Sequence, residues 1–376
     1  MLSKYKYEGF SNFKIKHSEV LKFIDSQKNK FEIIELGKSI ENREIFALKT
    51  GKGLIKILLW SQMHGNEPVS TMALIDLLNF LSSDENKAKE LLQKLEIIAI
   101  PMLNPDGAEN FERRNAISVD LNRDAKKLIS PESKILNRAT EDFSPDFGFN
   151  LHDQEAYYGI EGGSSPTMMS FLSPAFNKER NIDNNRKITM QVIAGINIML
   201  RKEFSNIVTA RYSDAFMPNA FGDFIQSKGI KTILFEGGYI IGDINRQQIR
   251  VLYSNSLLFA LQSITNKQYE KYTVEDYDNI PQNIKLKFTD LILKNVSLLK
   301  GDKKFYVDIA IRKKITNSEV FSDTINEYII DDIGDMSYKN AFKIIDCKNK
   351  SVKINSKDIK RLANADELLK LFKIKL

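Results

Sequence analysis

The sequence predicts an α/β protein: a doubly wound, mixed and mostly parallel sheet with helices on both faces, followed by a small β-rich domain. Three observations carry this. Apolar, β-branched runs alternate with stretches of helical apolar spacing through about residue 265, the pattern of strands joined by crossover helices. Several of those runs finish on a polar residue able to do chemistry, as expected where parallel strands end at a common crevice. Near residue 270 the composition shifts to short β-type runs broken by Asn, Asp, Gly and Lys.

Residues 18–27 have the spacing of a short helix, and Phe31–Leu36, Ile45–Thr50 and Ile55–Trp60 read as strands separated by Gly-, Asn- and Lys-containing turns. The third run leads into Met63-His64-Gly65-Asn66-Glu67, after which Val69–Leu81 shows helical spacing, so this motif sits on a strand-to-helix crossover. Leu95–Leu103 is a further apolar run that passes directly into Asn104-Pro105-Asp106-Gly107, a turn by composition. Phe147–His152 and Thr232–Glu236 are strands, while Asn184–Glu203 and Asn245–Ile264 are helices. His64, Asn104, His152 and Glu236 thereby all fall at carboxyl ends of strands. Beyond Tyr277 the β-type runs are Leu286–Leu293, Phe305–Ile311, Glu327–Ile330, Phe342–Ile345 and Ser351–Ile354, closed by a helix at Asn364–Phe372. The expected division is a domain over 1–270 and a β-rich accessory domain over 277–376. No internal repeat interrupts either.

With 376 residues, 42% hydrophobic and 28% charged, the chain has enough apolar surface for a full globular core. Its net charge of +6 comes from scattered lysines, which read as a solvated surface and point to no nucleic-acid partner. The single cysteine, Cys347, excludes an internal disulfide and any cysteine-pair catalysis or metal site. The opening MLSKYKYEGFSNFKIKH lacks the apolar core of a secretion signal, and no run approaches about 18 uninterrupted apolar residues. The expectation is a cytoplasmic protein without a membrane segment.

The chain has three histidines, and two of them stand beside acids: His64 with Glu67, and His152 in Asn150-Leu151-His152-Asp153. Zinc in a hydrolase takes three ligands from His and Asp/Glu and leaves a fourth position for water. His64, Glu67 and His152 are the candidate ligands. His17, in a Lys-rich leader, reads as an exposed bystander, and Trp60, the one tryptophan, as core. Asp153 either tunes His152 or caps a following turn. Glu155, Tyr157 and Tyr158 either line a cleft or form a packed loop.

The order His64-x-x-Glu67, Asn104-Pro105-Asp106-Gly107, Arg113-Arg114-Asn115, Asp120-Leu121-Asn122-Arg123, His152 and Glu236 resembles the M14-type zinc carboxypeptidases. Each motif alone is weak, and their shared order and spacing carry the resemblance. It implies a metallocarboxypeptidase holding one zinc ion on His64, Glu67 and His152, with zinc-bound water as nucleophile. Glu236 is implied as general base, and burial should raise its pKa while the cation lowers it. Arg113 is implied as the cation that stabilises the developing oxyanion. Asn122 and Arg123 would hold the terminal carboxylate, for which a guanidinium fork is suited. Asp120 would support a ligand histidine, His64, by accepting a hydrogen bond from its other nitrogen. Arg114 reads as an ion pair, either on the surface or behind the site residues, rather than as a catalytic group. Gly222 and Asp223 fall where a side-chain pocket should be lined, Asp223 favouring a basic or amine-bearing terminal residue.

The implied partner is a peptide or peptide-like substrate with a free C-terminal carboxylate, including cell-wall peptides. The sequence departs from the digestive members of the family at the mobile tyrosine. Tyr212 stands 24 residues before Glu236, and Ala215 and Phe216 occupy the nearer positions. Two other readings stay open. One is a zinc deacylase of N-acyl amino acids resembling the aspartoacylase and succinylglutamate desuccinylase group, and the other is a non-catalytic binding protein on the same scaffold.

Overall fold

Successive strands that bury both faces must be covered on both sides, and the first 283 residues supply both sheet and cover. The computed structural model describes residues 2–10, 12–300, 302–313, 328–348 and 351–352. They form two compact units, one of Met1–Glu155 with Thr167–Asn283 and one of Ala156–Pro166 with Ile284–Leu376.

In the first unit the strands are β1 (Glu32–Lys38), β2 (Glu44–Gly51), β3 (Ile55–Ser61), β4 (Leu95–Ile100), β5 (Phe147–Asp153), β6 (Met169–Leu172), β7 (Thr209–Arg211) and β8 (Lys231–Gly237). They make one sheet in the order β1-β2-β4-β3-β5-β8-β6-β7. Its centre, β4-β3-β5-β8, is parallel, whereas β1 and β2 join antiparallel on one side and β6 pairs antiparallel with β8 on the other. The sheet is therefore mixed with a parallel heart, as the alternating strands and helices require.

The longer helices are α1 (His17–Ser26), α2 (Pro68–Leu81), α3 (Asn86–Lys94), α4 (Pro105–Asn110), α5 (Pro131–Phe143), α6 (Asn184–Glu203), α7 (Phe221–Ser227), α8 (Gln247–Thr265) and α9 (Val274–Asp278). Period-2 alternation on β3 sends Leu58 and Trp60 to one face, where they meet Leu136 and Phe143 of α5 and Phe221 and Ile225 of α7. Ser61 points the other way and bonds Thr71 on α2, which shares that face with α6 and α8. Trp60 is fully buried, as expected of core. α2 is mostly apolar and almost wholly buried, with Pro68 at its first turn, where a missing N–H costs nothing.

The structure corrects two expectations. Asn104-Pro105-Asp106-Gly107 is not a free turn but the start of α4: the Asn104 side chain accepts from the Gly107 N–H at 2.9 Å, and Pro105 takes the first helical position. His17 is no exposed bystander, since it opens α1, is buried, and its Nε2 bonds the Glu44 carbonyl at 2.8 Å.

The second unit is a β-sheet of β9 (Phe288–Lys300), β10 (Lys303–Lys313), β11 (Tyr328–Gly334), β12 (Asn340–Asp346) and β13 (Ser351–Val352). β9 and β10 form a long antiparallel hairpin, β11 extends it beside β10, and β12 and β13 run parallel to β9. Leu291, Leu293, Val296, Ile309, Ile311 and Cys347 fill its core. The expected helix at Asn364–Phe372 lies outside the described residues. Among the described residues no helix is long and apolar enough to cross a membrane.

Candidate active site

Three parallel strands bring the site together. β3 ends just before His64, Glu67 immediately precedes α2, and β5 carries His152 beside Glu236 of β8 in register. Two sequence motifs meet backbone to backbone here: a side chain on Gly65 would come within 2.0 Å of the Gly107 carbonyl carbon, so only glycine fits. Asn104 completes that seam by donating from Nδ2 to the Met63 carbonyl at 3.2 Å. It is therefore a fully buried strut beneath His64.

His64, Glu67 and His152 are buried and converge. His64 Nδ1 lies 2.7 Å from Glu67 Oε1, His152 Nδ1 lies 2.7 Å from Glu67 Oε2, and the two Nδ1 atoms face each other at 3.1 Å. Burial pushes the Glu67 carboxyl up, but the two imidazoles more than reverse this and hold it far below the usual range. Burial also lowers the His152 pKa against the pull of Glu67, so the imidazole is held neutral. Lone-pair atoms crowded so closely repel unless something positive stands among them. The donor set of two imidazoles and one carboxylate fits a zinc ion.

Asp120 turns His64 toward that point. Its Oδ1 lies 3.1 Å from His64 Nε2 and accepts the Asn122 N–H at 2.9 Å, while Oδ2 accepts Arg113 Nε at 3.1 Å. A proton held on Nε2 leaves Nδ1 as the lone-pair donor. Arg113 Nη1 reaches to 3.3 Å from Glu67 Oε1, and despite burial its charge is favoured by Glu67 and Asp120. Arg114 is turned away, donating to the Ser118 carbonyl from an exposed position. Glu236 makes no hydrogen bond from its carboxylate among the described residues. Burial first, then the charges of Glu67 and Asp153, push its pKa well up, with Arg113 opposing.

Asn122 spends its side-chain oxygen on the Phe221 N–H at the start of α7, at 2.9 Å, which leaves the NH2 as a donor. Arg123 is exposed and donates to the Asn122 carbonyl at 2.6 Å. Asp223, on α7, is 7% exposed and accepts the Met217 N–H at 2.9 Å, and burial pushes its carboxyl up to about 6. Tyr212 donates to Gln154 Oε1 at 2.8 Å.

Residues that the sequence left open or did not suggest frame the cluster. Asp153 accepts the Val69 and Ser70 N–H groups of α2 at 2.7 and 2.9 Å. Gln154 Oε1 also gathers Ser170 Oγ and Asn283 Nδ2. Tyr253 on α8 accepts the His152 N–H at 3.1 Å and donates to the Phe235 carbonyl at 3.0 Å, clasping β5 to β8 at the register of the site. An acid directly after a candidate ligand was a signal for Asp153. Tyr253 sits in an unremarkable helix a hundred residues on and gave none.

Residues 18–170 match the family model for zinc carboxypeptidases. Over that stretch, about two fifths of its length, the chain is similar to the zinc carboxypeptidase family. Carboxypeptidase 2 of Trichophyton tonsurans is 30% identical over 130 residues, covering 34% of this chain and 24% of that protein. The alignments thus span about a quarter of the length of these curated relatives. The metallo-carboxypeptidase from Burkholderia cenocepacia superposes with a TM-score of 0.53 at 17% identity, over 68% of this chain and 70% of its own. Bovine thrombin-activatable fibrinolysis inhibitor, solved with tick carboxypeptidase inhibitor, gives 0.55 at 15% identity, over 72% and 100%. At such identities the likeness shows the fold. The zinc carboxypeptidase-family match includes His64, Glu67, Asp120 and His152 and stops short of β8. Glu236 therefore enters by its register beside His152.

Proposed function

We propose that this chain is a zinc-dependent metallocarboxypeptidase that hydrolyses the C-terminal amide bond of peptides or peptide-like substrates. The observation that carries the reading is the buried His64–Glu67–His152 cluster with an uncommitted carboxylate, Glu236, on the neighbouring strand. His64, Glu67 and His152 would hold the zinc ion, which when bound would supply the Lewis acidity that eases loss of a proton from water and polarises a carbonyl. Glu236 takes the proton from the attacking water and returns it to the leaving amine. Burial and the charges of Glu67 and Asp153 raise its pKa, so it holds a proton more readily than an ordinary glutamate, which suits delivery to the leaving amine.

Arg113 is held by Asp120 and Glu67 with its charge intact, and it steadies the oxygen that becomes anionic as water adds to the carbonyl. The Asn122 NH2 group and the exposed Arg123 guanidinium supply donors for the substrate's terminal carboxylate, which restricts cleavage to the last residue. Asp223 lies on α7 behind them as a buried carboxyl able to meet a basic or amine-bearing terminal side chain.

Glu236→Gln keeps the shape and removes the proton acceptor. With peptides and muropeptides bearing free C-termini, the variant should release the terminal residue at least roughly 100-fold more slowly while retaining one zinc per chain. Native turnover by that variant, measured by mass spectrometry of products, would remove Glu236 from the mechanism.

A further inference from the structure

We infer that Asp153 is a positioning residue that takes over the capping of α2 so that Glu67 stays free to bind metal. The inference rests on the zinc reading of the His64–Glu67–His152 cluster.

Glu67 occupies the residue just before α2, where an acidic side chain ordinarily turns back onto the first N–H groups of its own helix. Here it makes no such bond, because both oxygens are directed at the two histidines. The first N–H groups of the helix are satisfied from elsewhere. Asp153 Oδ2 accepts the Val69 N–H at 2.7 Å, Oδ1 accepts the Ser70 N–H at 2.9 Å, and the Asp153 N–H in turn donates to Glu67 Oε2 at 3.2 Å. Asp153 is 5% exposed and Val69 and Ser70 are 0% exposed, so water is no substitute for the lost acceptor. One residue thus ties the strand bearing His152 to the helix that Glu67 precedes. Pro68, with no N–H and a fixed φ, makes the link between Glu67 and the capped turn stiff.

Without the Asp153 carboxylate, Val69 and Ser70 become buried donors with no acceptor, and the nearest carboxylate is that of Glu67. Glu67 then has two competing uses, and metal affinity falls. Asp153→Ala removes both acceptor oxygens, whereas Asp153→Asn keeps one and serves if the alanine variant does not fold. Zinc affinity by chelator competition, with melting curves of the zinc-free and zinc-loaded full chain, reads the effect. The expected result is a loss of roughly 10- to 100-fold in zinc affinity for Asp153→Ala and a smaller one for Asp153→Asn, with the zinc-induced rise in Tm shrinking in the same order. A variant that melts earlier without zinc yet binds zinc as tightly as the parent makes Asp153 a plain helix cap and overturns the inference. A parent chain that takes up no zinc overturns the zinc reading itself, and this inference with it.

Discussion

Asp120 serves both His64 and Arg113 with one carboxylate, and that makes it the most revealing single residue to remove. Burial alone would raise its pKa, yet His64 and Arg113 hold it far below the ordinary range. Asp120→Ala frees His64 to rotate and Arg113 to swing out, so zinc affinity should fall roughly 10- to 100-fold, as read by chelator competition. Unchanged affinity would mean that His64 is held by packing alone. Asp223 poses the opposite electrostatic case. Its carboxyl is raised from 3.8 to about 6 by burial, so the folded state holds the proton more tightly than the unfolded chain does. The stabilisation is full below about pH 4 and is lost as pH rises through about 6, a swing of at most roughly 3 kcal/mol. Asp223→Asn keeps an oxygen for the Met217 N–H and carries no charge. It should therefore gain stability on the parent at pH 7 and not at pH 4, in melts across that range.

Among the elements, α2 and α8 are pinned by a buried ion pair that also grips the N-terminal segment. Arg250 reaches Asp76 through Nε at 2.7 Å and Nη2 at 2.5 Å, and the Tyr7 N–H and carbonyl close the set at 2.8 Å each. Asp76→Ala strands a buried guanidinium and should cost about 3–5 kcal/mol in chemical denaturation, whereas Asp76→Leu with Arg250→Met should cost less than the single change. The strands that carry the site were legible because each is a long apolar run ending on a chemical residue: β3 before His64, β5 at His152, β8 at Glu236. β6 and β7 were not, being four and three residues long, too short for a period to register. The later half of β9 hid behind Asn295 and Ser297, which break the apolar run: the ladder with β10 shifts register beside Asn295 and goes on through Ser297. α4 was hidden by turn-forming residues that serve instead as a helix cap and first turn. His17 was misjudged because a Lys-rich neighbourhood says nothing about a ring that packs inward at the head of α1. The ligand set could be read from spacing, whereas the Asp153 cap and the Tyr253 clasp depend on tertiary register that spacing does not encode.

At the scale of the whole molecule, the decisive fact is that the chain passes between its two units three times, at residues 155/156, 166/167 and 283/284. The segment 156–166 leaves the first unit three residues after His152 and is built into the second. Gly159 exchanges two backbone hydrogen bonds with Ile284, the Tyr157 hydroxyl donates to Asp290 at 2.7 Å, the Phe288 N–H bonds the Tyr157 carbonyl, and Asn340 Nδ2 bonds the Gly163 carbonyl at 2.6 Å. Tyr157 is 6% exposed and stacks on Phe342, so of the two readings of this loop the packed one describes Tyr157. A side chain at Gly159 would strike the Phe288 ring at 2.7 Å, which fixes glycine there. The C-terminal unit is thus no appended module, because part of its fold comes from the middle of the chain. Ending the chain after Asn283 removes every one of these partners and exposes the Tyr157 side chain to water. Such a truncation should be cut by proteases within 156–166 and exchange its amide hydrogens there far faster than the full chain, while amides of the central strands β3, β5 and β8 change less. Equal protection of 156–166 in both chains would show that the segment holds its shape without the C-terminal sheet.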